Sequence, residues 1–198
     1  MAISMDAHAA PGPTSAFGVP PGKLGIWWFL ASEIMVFGGL IVSYLLFRMA
    51  GPGWSAELHH NSTLLGTVNT LILLTSSFTM VEVHRAHGRG EEAKFRLHLA
   101  LTILLGLVFL AIKGAEYTAH IREGLVPAKS MFWAFYFGMT GLHGLHVLGG
   151  IVANACLYAV AARPGGVARY GHRAEMDGLY WHFVDVVWIF LFPLLYLG

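Results

Sequence analysis

The stretch FGMTGLHGLHVLGG, residues 137–150, places two histidines, His143 and His146, in strongly apolar surroundings. It lies within residues 130–162, a run of 33 residues that contains no Lys, Arg, Asp or Glu. A helix crosses the hydrocarbon core of a bilayer with about 20 apolar residues. Because hydrocarbon offers no water to backbone groups, only helices and closed barrels span it, and this run is too long for a strand. The stretch therefore predicts a transmembrane helix with two imidazoles inside it.

The composition of the whole chain agrees with a membrane environment. Its 198 residues are 56% hydrophobic and 12% charged, with a mean hydropathy of +0.62, whereas soluble domains carry about 25% charged residues. The net charge of +1 gives no reason to expect nucleic acid as a partner. The single cysteine, Cys156, excludes a disulfide or a thiolate metal site within one chain. Residues 1–23 lack the basic start and apolar core of a signal peptide and are interpreted as a flexible tail.

Hydropathy divides the remaining chain into spans. The sequence predicts an all-α integral membrane protein in which residues 24–198 form one domain of five transmembrane helices. With the N-terminus inside, eight Lys and Arg residues fall on the inner side and four on the outer side. Because basic residues concentrate on the cytoplasmic side, the N-terminus is predicted to be cytoplasmic and the C-terminus periplasmic. The five predicted spans cover approximately residues 24–47, 64–83, 97–117, 131–161 and 179–197.

The two histidines of the opening stretch lie on one face of the predicted helix, because they are three residues apart. They are candidates for metal or haem ligation, for hydrogen bonds between helices, for contact with lipid headgroups, or for proton transfer. Two imidazoles one turn apart cannot ligate opposite faces of one haem, and there is no HExxH motif. Glycines on the same helix favour close packing, namely Gly138, Gly141, Gly144, Gly149 and Gly150.

Other ionisable residues inside the predicted spans are expected to face a bundle interior or a polar cavity. Glu33 lies near the middle of the first span and is either a proton carrier or an acid hydrogen-bonded to a His or Ser on another helix. His182 and Asp185, three residues apart, are expected to pair within their helix. Lys113 and Glu116 are interpreted as an exposed pair of little energetic value. No motif predicts a catalytic nucleophile.

Four stretches taken together resemble one known family. Order and spacing agree with subunit III of haem–copper cytochrome c oxidases from about residue 24 to the end of the chain. The combination of TGLHGLHV and YWHFVDVVW is highly specific. Mitochondrial-type members have seven spans, and this chain resembles the shorter bacterial form that lacks the first two. The stretches are GIWWFLASEIMVFGGL (25–40), KGAEY (113–117), FGMTGLHGLHVLGG (137–150) and YWHFVDVVWIFLFPLLYL (180–197).

The resemblance implies a non-catalytic subunit in a bacterial plasma membrane, without haem or copper of its own. It implies packing against subunit I, which reduces oxygen to water at a haem–copper centre, with subunit II, further small subunits, bound phospholipid and a larger respiratory supercomplex as other partners. The implied role is to support proton uptake and to protect the centre during turnover. No catalytic, cofactor or metal residue is implied. The residues assigned to contacts with lipid or neighbouring subunits are Glu33, Glu116, His143, His146, His182 and Asp185.

Several alternatives share part of this pattern. Quinol oxidase subunit III and nitric oxide reductase accessory subunits carry similar HGLHV and WHFVDVVW stretches, although Ser32–Glu33 favours the cytochrome c branch. A small proton-coupled transporter would use Glu33 and His146 as a relay, but transporters are commonly built from repeated halves, and no internal repeat is visible. A stand-alone membrane cytochrome is disfavoured by the spacing of the two histidines.

Overall fold

The computed structural model describes residues 21–51 and 54–197, and helices account for almost all of them. Residues 1–20 of the predicted tail lie outside the described residues, whereas residues 21–23 already belong to the first helix. A 3-10 turn, Gly171–Arg173, and a π-helical turn, Pro193–Leu197, flank the last α-helix. The α-helices are α1 (Pro21–Ala50), α2 (Trp54–Leu58), α3 (Thr63–Gly88), α4 (Glu92–Arg122), α5 (Met131–Ala161), α6 (Gly166–Tyr170) and α7 (Ala174–Phe192).

Within residues 21–51 and 54–197, five helical segments are long and apolar enough to cross a membrane, which confirms the predicted all-α class and the number of spans. They are α1, α3, α4, α5 and the segment Gly166–Leu197 that contains α7. Helix α5 has the bounds of the predicted span 131–161, whereas the other long helices run further than predicted; α4, for example, begins at Glu92 and ends at Arg122. Charged residues with good helix propensity extend it on both sides of its apolar centre.

Four of the long helices form a closed bundle, and α1 lies outside it. Helix α3 packs on α4, α4 on α5, α5 on α7, and α7 back on α3. Helix α1 packs against α5 and α7. Three tryptophans are fully buried: Trp133, Trp181 and Trp188. The bundle therefore has a continuous aromatic core, whereas α1 covers one of its outer grooves.

Two glycines allow α4 and α5 to close around Trp181 of α7. A Cβ atom at Gly106 would lie 2.8 Å from the indole ring, and one at Gly150 would lie 2.6 Å from it. Of the five glycines on α5 that predicted close packing, Gly150 is the one in such tight contact, while Gly138 faces open space. The indole Nε1 of Trp181 donates a hydrogen bond to Ser76 Oγ on α3 (2.9 Å), so one side chain joins all four bundle helices.

The two ends of the bundle are named here for the short helices that lie there. At the α2 end, α1 and α4 finish and α5 begins; at the α6 end, α3 and α5 finish. At the α2 end, the backbone carbonyls of the π-helical turn are bonded by side chains from other segments, an arrangement called the π-turn cap below. Tyr44 Oη donates to Leu194 O (2.6 Å), Asn61 Nδ2 to Leu195 O (2.8 Å) and Thr63 Oγ1 to Tyr196 O (3.2 Å).

Candidate functional site

Glu33 and His146 meet between α1 and α5. The imidazole Nε2 of His146 lies 3.1 Å from Glu33 Oε2, and its Nδ1 lies 2.8 Å from the backbone oxygen of Leu142. Because a carbonyl only accepts, Nδ1 carries a hydrogen, and Nε2 and the carboxyl share one further proton between them. The two side chains are 14% and 16% exposed, so the pair lies at the edge of the protein rather than in its core.

Aromatic side chains from α1 and α7 pack around this pair. The ring of Phe37 on α1 packs edge-on against the His146 imidazole, with ring centres 5.2 Å apart. Tyr180 on α7 donates its hydroxyl to the backbone oxygen of His146 at 2.9 Å. Three helices therefore converge at this point, and the hydrogen bond predicted from Glu33 to a His or Ser of another helix is found.

Two further polar contacts hold α1, one at each end. Near the α6 end, Lys23 Nζ lies 2.6 Å from Glu175 Oε1, and these side chains are 40% and 44% exposed. Near the α2 end, Tyr44 reaches Leu194 O through the π-turn cap. These contacts and the carboxyl–imidazole pair are together called the α1 seam. The seam thus has three levels, which are the three positions along α1 at which these contacts occur, and each level depends on a single side-chain contact.

His143 has a different environment from His146, although only one helical turn separates them. Its side chain is fully buried in the bundle. Its ring centre lies 5.6 Å from that of Phe109 and 5.2 Å from that of Trp188. Neither ring nitrogen has a hydrogen-bond partner among the described residues. The predicted hydrogen bonding between helices thus describes His146 but not His143.

His182 and Asp185 do not pair with each other. His182 Nδ1 lies 2.7 Å from Ser77 Oγ on α3, so this imidazole joins α7 to α3. Asp185 is 4% exposed, and neither carboxyl oxygen has a hydrogen-bond partner among the described residues. The expected pairing within one helix was wrong, because the His182 ring turns toward the serine of the neighbouring helix.

Lys113 and Glu116 form a buried group rather than the exposed pair that the sequence predicted. Their side chains are 8% and 3% exposed, and Lys113 Nζ lies 3.0 Å from Glu116 Oε2. The ammonium also donates to the hydroxyls of Tyr136 (3.1 Å) and Tyr196 (2.6 Å). Both hydroxyls in turn lie within hydrogen-bond distance of Glu116 Oε1, at 2.9 and 2.7 Å. These four residues are called the ion cluster below.

Aromatic rings surround the ammonium of the ion cluster. Lys113 Nζ lies between 5.0 and 5.5 Å from the ring centres of Tyr117, Tyr136, Trp188 and Tyr196. These distances suit cation–π attraction, which is stronger away from water. The cluster thereby fixes the relative positions of α4, α5 and the π-helical turn. Its phenols were missed from the sequence, because only the acidic, basic and histidine side chains within the spans were considered as candidates.

The predicted site residues are therefore divided among separate places in the fold. Glu33 and His146 share the α1 seam, Glu116 belongs to the ion cluster, and the remaining three lie at different points of the bundle. Among residues 21–51 and 54–197, no three His, Cys, Asp or Glu side chains are grouped as a metal ion would require. The geometry instead ties helices together and places one carboxyl–imidazole pair within reach of the lipid-facing surface.

Comparison with known proteins gives matches along almost the entire chain. Residues 12–198 match the family described as cytochrome c oxidase subunit III. Cytochrome c oxidase subunit 3 of Synechocystis sp. is 36% identical over 202 residues, covering 99% of this chain and 85% of the relative. That of Corynebacterium diphtheriae is 34% identical over 199 residues, covering 98% and 97%. The probable quinol oxidase subunit 3 of Staphylococcus haemolyticus is 34% identical over 180 residues, covering 88% of each chain.

Proposed function

The chain belongs to the cytochrome c oxidase subunit III family, and on that basis we propose that it is the non-catalytic subunit III of a proton-pumping terminal oxidase. Membership makes it a multi-pass membrane subunit of a haem–copper oxidase complex. In the proposal it packs against subunit I, where haem and copper reduce oxygen to water, and subunit II and smaller subunits complete the complex. Its own residues take no part in electron transfer.

The observation that carries this proposal is the Glu33–His146 contact at 3.1 Å. An intramembrane carboxyl and imidazole that satisfy each other across two helices serve assembly and proton handling. Their partial exposure leaves them accessible to a neighbouring subunit or lipid. In the proposal, this position supports a role in sustaining proton uptake by subunit I.

Two apolar clefts beside α1 support lipid binding. One, of about 300 Å³, lies between α1 and α7 and is lined by Phe37, Ile41 and Phe183 among others. The second, of about 200 Å³, lies between α1 and α5 and is lined by residues such as Leu40 and Phe135. In the proposal, acyl chains of phospholipids fill both clefts, because water in them would be in contact with almost purely apolar walls.

The same helix also presents an apolar surface for protein or lipid neighbours. Trp28, Met35 and Met49 are 71%, 78% and 85% exposed. Exposed apolar area of this extent marks contact with lipid or with another subunit. The bias of basic residues and the bacterial origin of the relatives support a bacterial plasma membrane, with the N-terminus cytoplasmic and the C-terminus periplasmic.

The electron donor of the complex is proposed to be cytochrome c. Serine and glutamate at positions 32 and 33 favour that branch. Relatives named as quinol oxidase subunits are about as similar as those named as cytochrome c oxidase subunits, 33–34% against 34–37% identity. The quinol oxidase subunit is therefore the second candidate, and oxidation assays of the purified complex with each donor separate the two.

Co-purification tests the proposal directly. Tagged full-length chain extracted in mild detergent is expected to bring down a larger subunit with the Soret absorption of haem. The chain separated from that complex is expected to show no such band. A coloured isolated chain would instead support a cytochrome, and proton flux through the isolated chain in liposomes would support a transporter.

A further inference from the structure

Asp185 on α7 is a carboxyl whose burial makes it unavailable for the lipid or subunit contact expected from the sequence. Its residue is 4% exposed and lies in a segment that is long and apolar enough to span the membrane. Neither carboxyl oxygen has a hydrogen-bond partner among the described residues. Because a lone carboxylate away from water is costly, this group is neutral at rest and carries a proton. In membrane proteins, ionisable residues at such positions mark ion and proton pathways.

A groove between α3 and α7 opens to the surface near the α6 end. It has a volume of about 180 Å³ and has His84, Glu175 and His182 as its ionisable lining residues, next to apolar ones such as Met80. His84 is exposed, and Glu175 is paired with Lys23. Because α7 begins at the α6 end, His182 is the α7 lining residue that lies deepest in the membrane. The groove thus leads from the surface to this half-buried imidazole.

His182 connects the groove with the interior of the bundle through Ser77 of α3. Its Nδ1 lies 2.7 Å from Ser77 Oγ. Its Nε2 is not among the buried nitrogens that lack a partner, so it keeps accessible surface on the groove. The Ser77 hydroxyl is also the polar group that faces Asp185, which lies one helical turn from His182. An imidazole, a hydroxyl and a carboxyl therefore follow one another from the groove inward.

This order of groups suits the transfer of a proton. With a hydrogen on Nδ1, the His182 ring takes a proton from water at Nε2 and releases the other from Nδ1 to Ser77 Oγ. The hydroxyl gives its own hydrogen to an ionised Asp185, and the same steps in reverse return the proton to the groove. The last transfer requires the Asp185 side chain to rotate onto Ser77, since no hydrogen bond joins them at rest.

We propose that Asp185 is an internal proton site that fills and empties through Ser77 and His182 from the groove at the α6 end. This site is separate from the α1 seam, and its proton stays inside this chain. The inference goes beyond the proposed function and depends on it only for the membrane location of the chain. Its test follows one carboxyl proton, whereas co-purification with a haem subunit tests the proposed function, so the two can fail separately.

Infrared spectroscopy of the assembled complex that contains the full chain detects this proton. A protonated carboxyl has a C=O stretching band that shifts when heavy water replaces its hydrogen by deuterium. The wild-type complex is expected to show such a band, and Asp185→Asn should remove it. Asp185→Glu keeps a protonated carboxyl and should move the band, which identifies it even where the asparagine variant does not assemble. Spectra in which neither variant alters a carboxyl band would overturn the proposal.

Two further variants interrupt the route but leave Asp185 in place. Ser77→Ala and His182→Phe each remove one hydrogen-bonded step, which should slow the exchange of the Asp185 band about tenfold or more. Thr75→Val is the matched control, because it also removes a hydroxyl from α3, but one that is exposed and bonded to Leu71 O of its own helix. Exchange at the wild-type rate in either interrupted variant, or equal slowing in the control, would contradict a route through Ser77 and His182.

Discussion

The α1 seam and the ion cluster both bring an acid and a base together inside the membrane-spanning region, but they do so in different ways. Glu33 and His146 share one contact at the protein edge, with side chains 14–16% exposed. Lys113 and Glu116 are 3–8% exposed and have two phenols as additional partners. A buried ion pair is maintained only when further hydrogen bonds complete it. The cluster is thus a structural unit complete in itself, whereas the seam remains accessible to a partner.

The largest effect is expected from breaking the ion cluster. Replacing Lys113 by Met leaves the Glu116 carboxylate buried without its counter-charge, which should destabilise the fold by about 3–5 kcal/mol. Unfolding of the purified chain by denaturant in detergent micelles measures this loss. The double variant Lys113→Met, Glu116→Gln removes both charges and should recover most of the stability. A single variant that costs less than about 1 kcal/mol would show that the cluster does not hold the bundle together.

A smaller effect is expected from removing one phenol of the cluster. Tyr196→Phe keeps the ring but loses the hydroxyl that contacts Lys113 and Glu116. Hydrogen bonds to charged groups contribute about 1.5–3 kcal/mol, so the same unfolding assay should show a loss in that range. Tyr158→Phe on α5, whose hydroxyl has no part in the cluster, is the control and should be nearly neutral. Equal losses in both variants would contradict the assignment.

The seam should affect function more than stability. Glu33→Gln and His146→Ala are each expected to cost about 1 kcal/mol or less, as is usual for polar contacts between membrane helices. In the assembled oxidase they should shorten the period of sustained turnover or reduce bound lipid, with the initial rate of oxygen reduction unchanged. Oxygen-electrode traces over many turnovers and lipid analysis measure this. Loss of the initial rate in a fully assembled variant would argue for a catalytic role.

The smallest effect is expected at the exposed level of the seam. The side chains of Lys23 and Glu175 are about two-fifths exposed, and exposed ion pairs contribute about 0–1 kcal/mol. Lys23→Ala should therefore leave unfolding almost unchanged, and any loss should disappear at high salt. A loss that persists at high salt would mean that this contact holds α1 more firmly than its exposure suggests.

The sequence was sufficient for the number and type of helices, because span length and hydropathy depend on local composition alone. It was also sufficient to expect that Glu33 bonds a side chain of another helix. The sequence could not show whether Lys113 is exposed. A helix that is apolar on all sides has no polar face from which its buried side can be inferred. Its phenol partners lie 23 and 83 residues further along the chain, and only the folded bundle brings them together.

The environments of the two neighbouring histidines show the same limit. The spacing of His143 and His146 predicted that they lie on one helical face, and in the structure one helical turn of α5 separates them. It could not reveal that the boundary between α1 and the bundle runs between them. A helix that packs outside a closed bundle creates such a boundary, and its position depends on tertiary contacts.

The π-turn cap has a consequence for biosynthesis. The side chains of Tyr44, Asn61 and Thr63 are inserted into the membrane early, yet their acceptors are carbonyls of residues 194–196, which are synthesised 133 to 150 positions later. Until that segment is synthesised, the four-helix bundle of the incomplete chain is not closed, and the polar side chains of the π-turn cap lack their acceptors. Contacts between residues so far apart in the sequence form slowly. Insertion factors or a partner subunit already in the membrane would therefore have to protect the nascent protein during this interval.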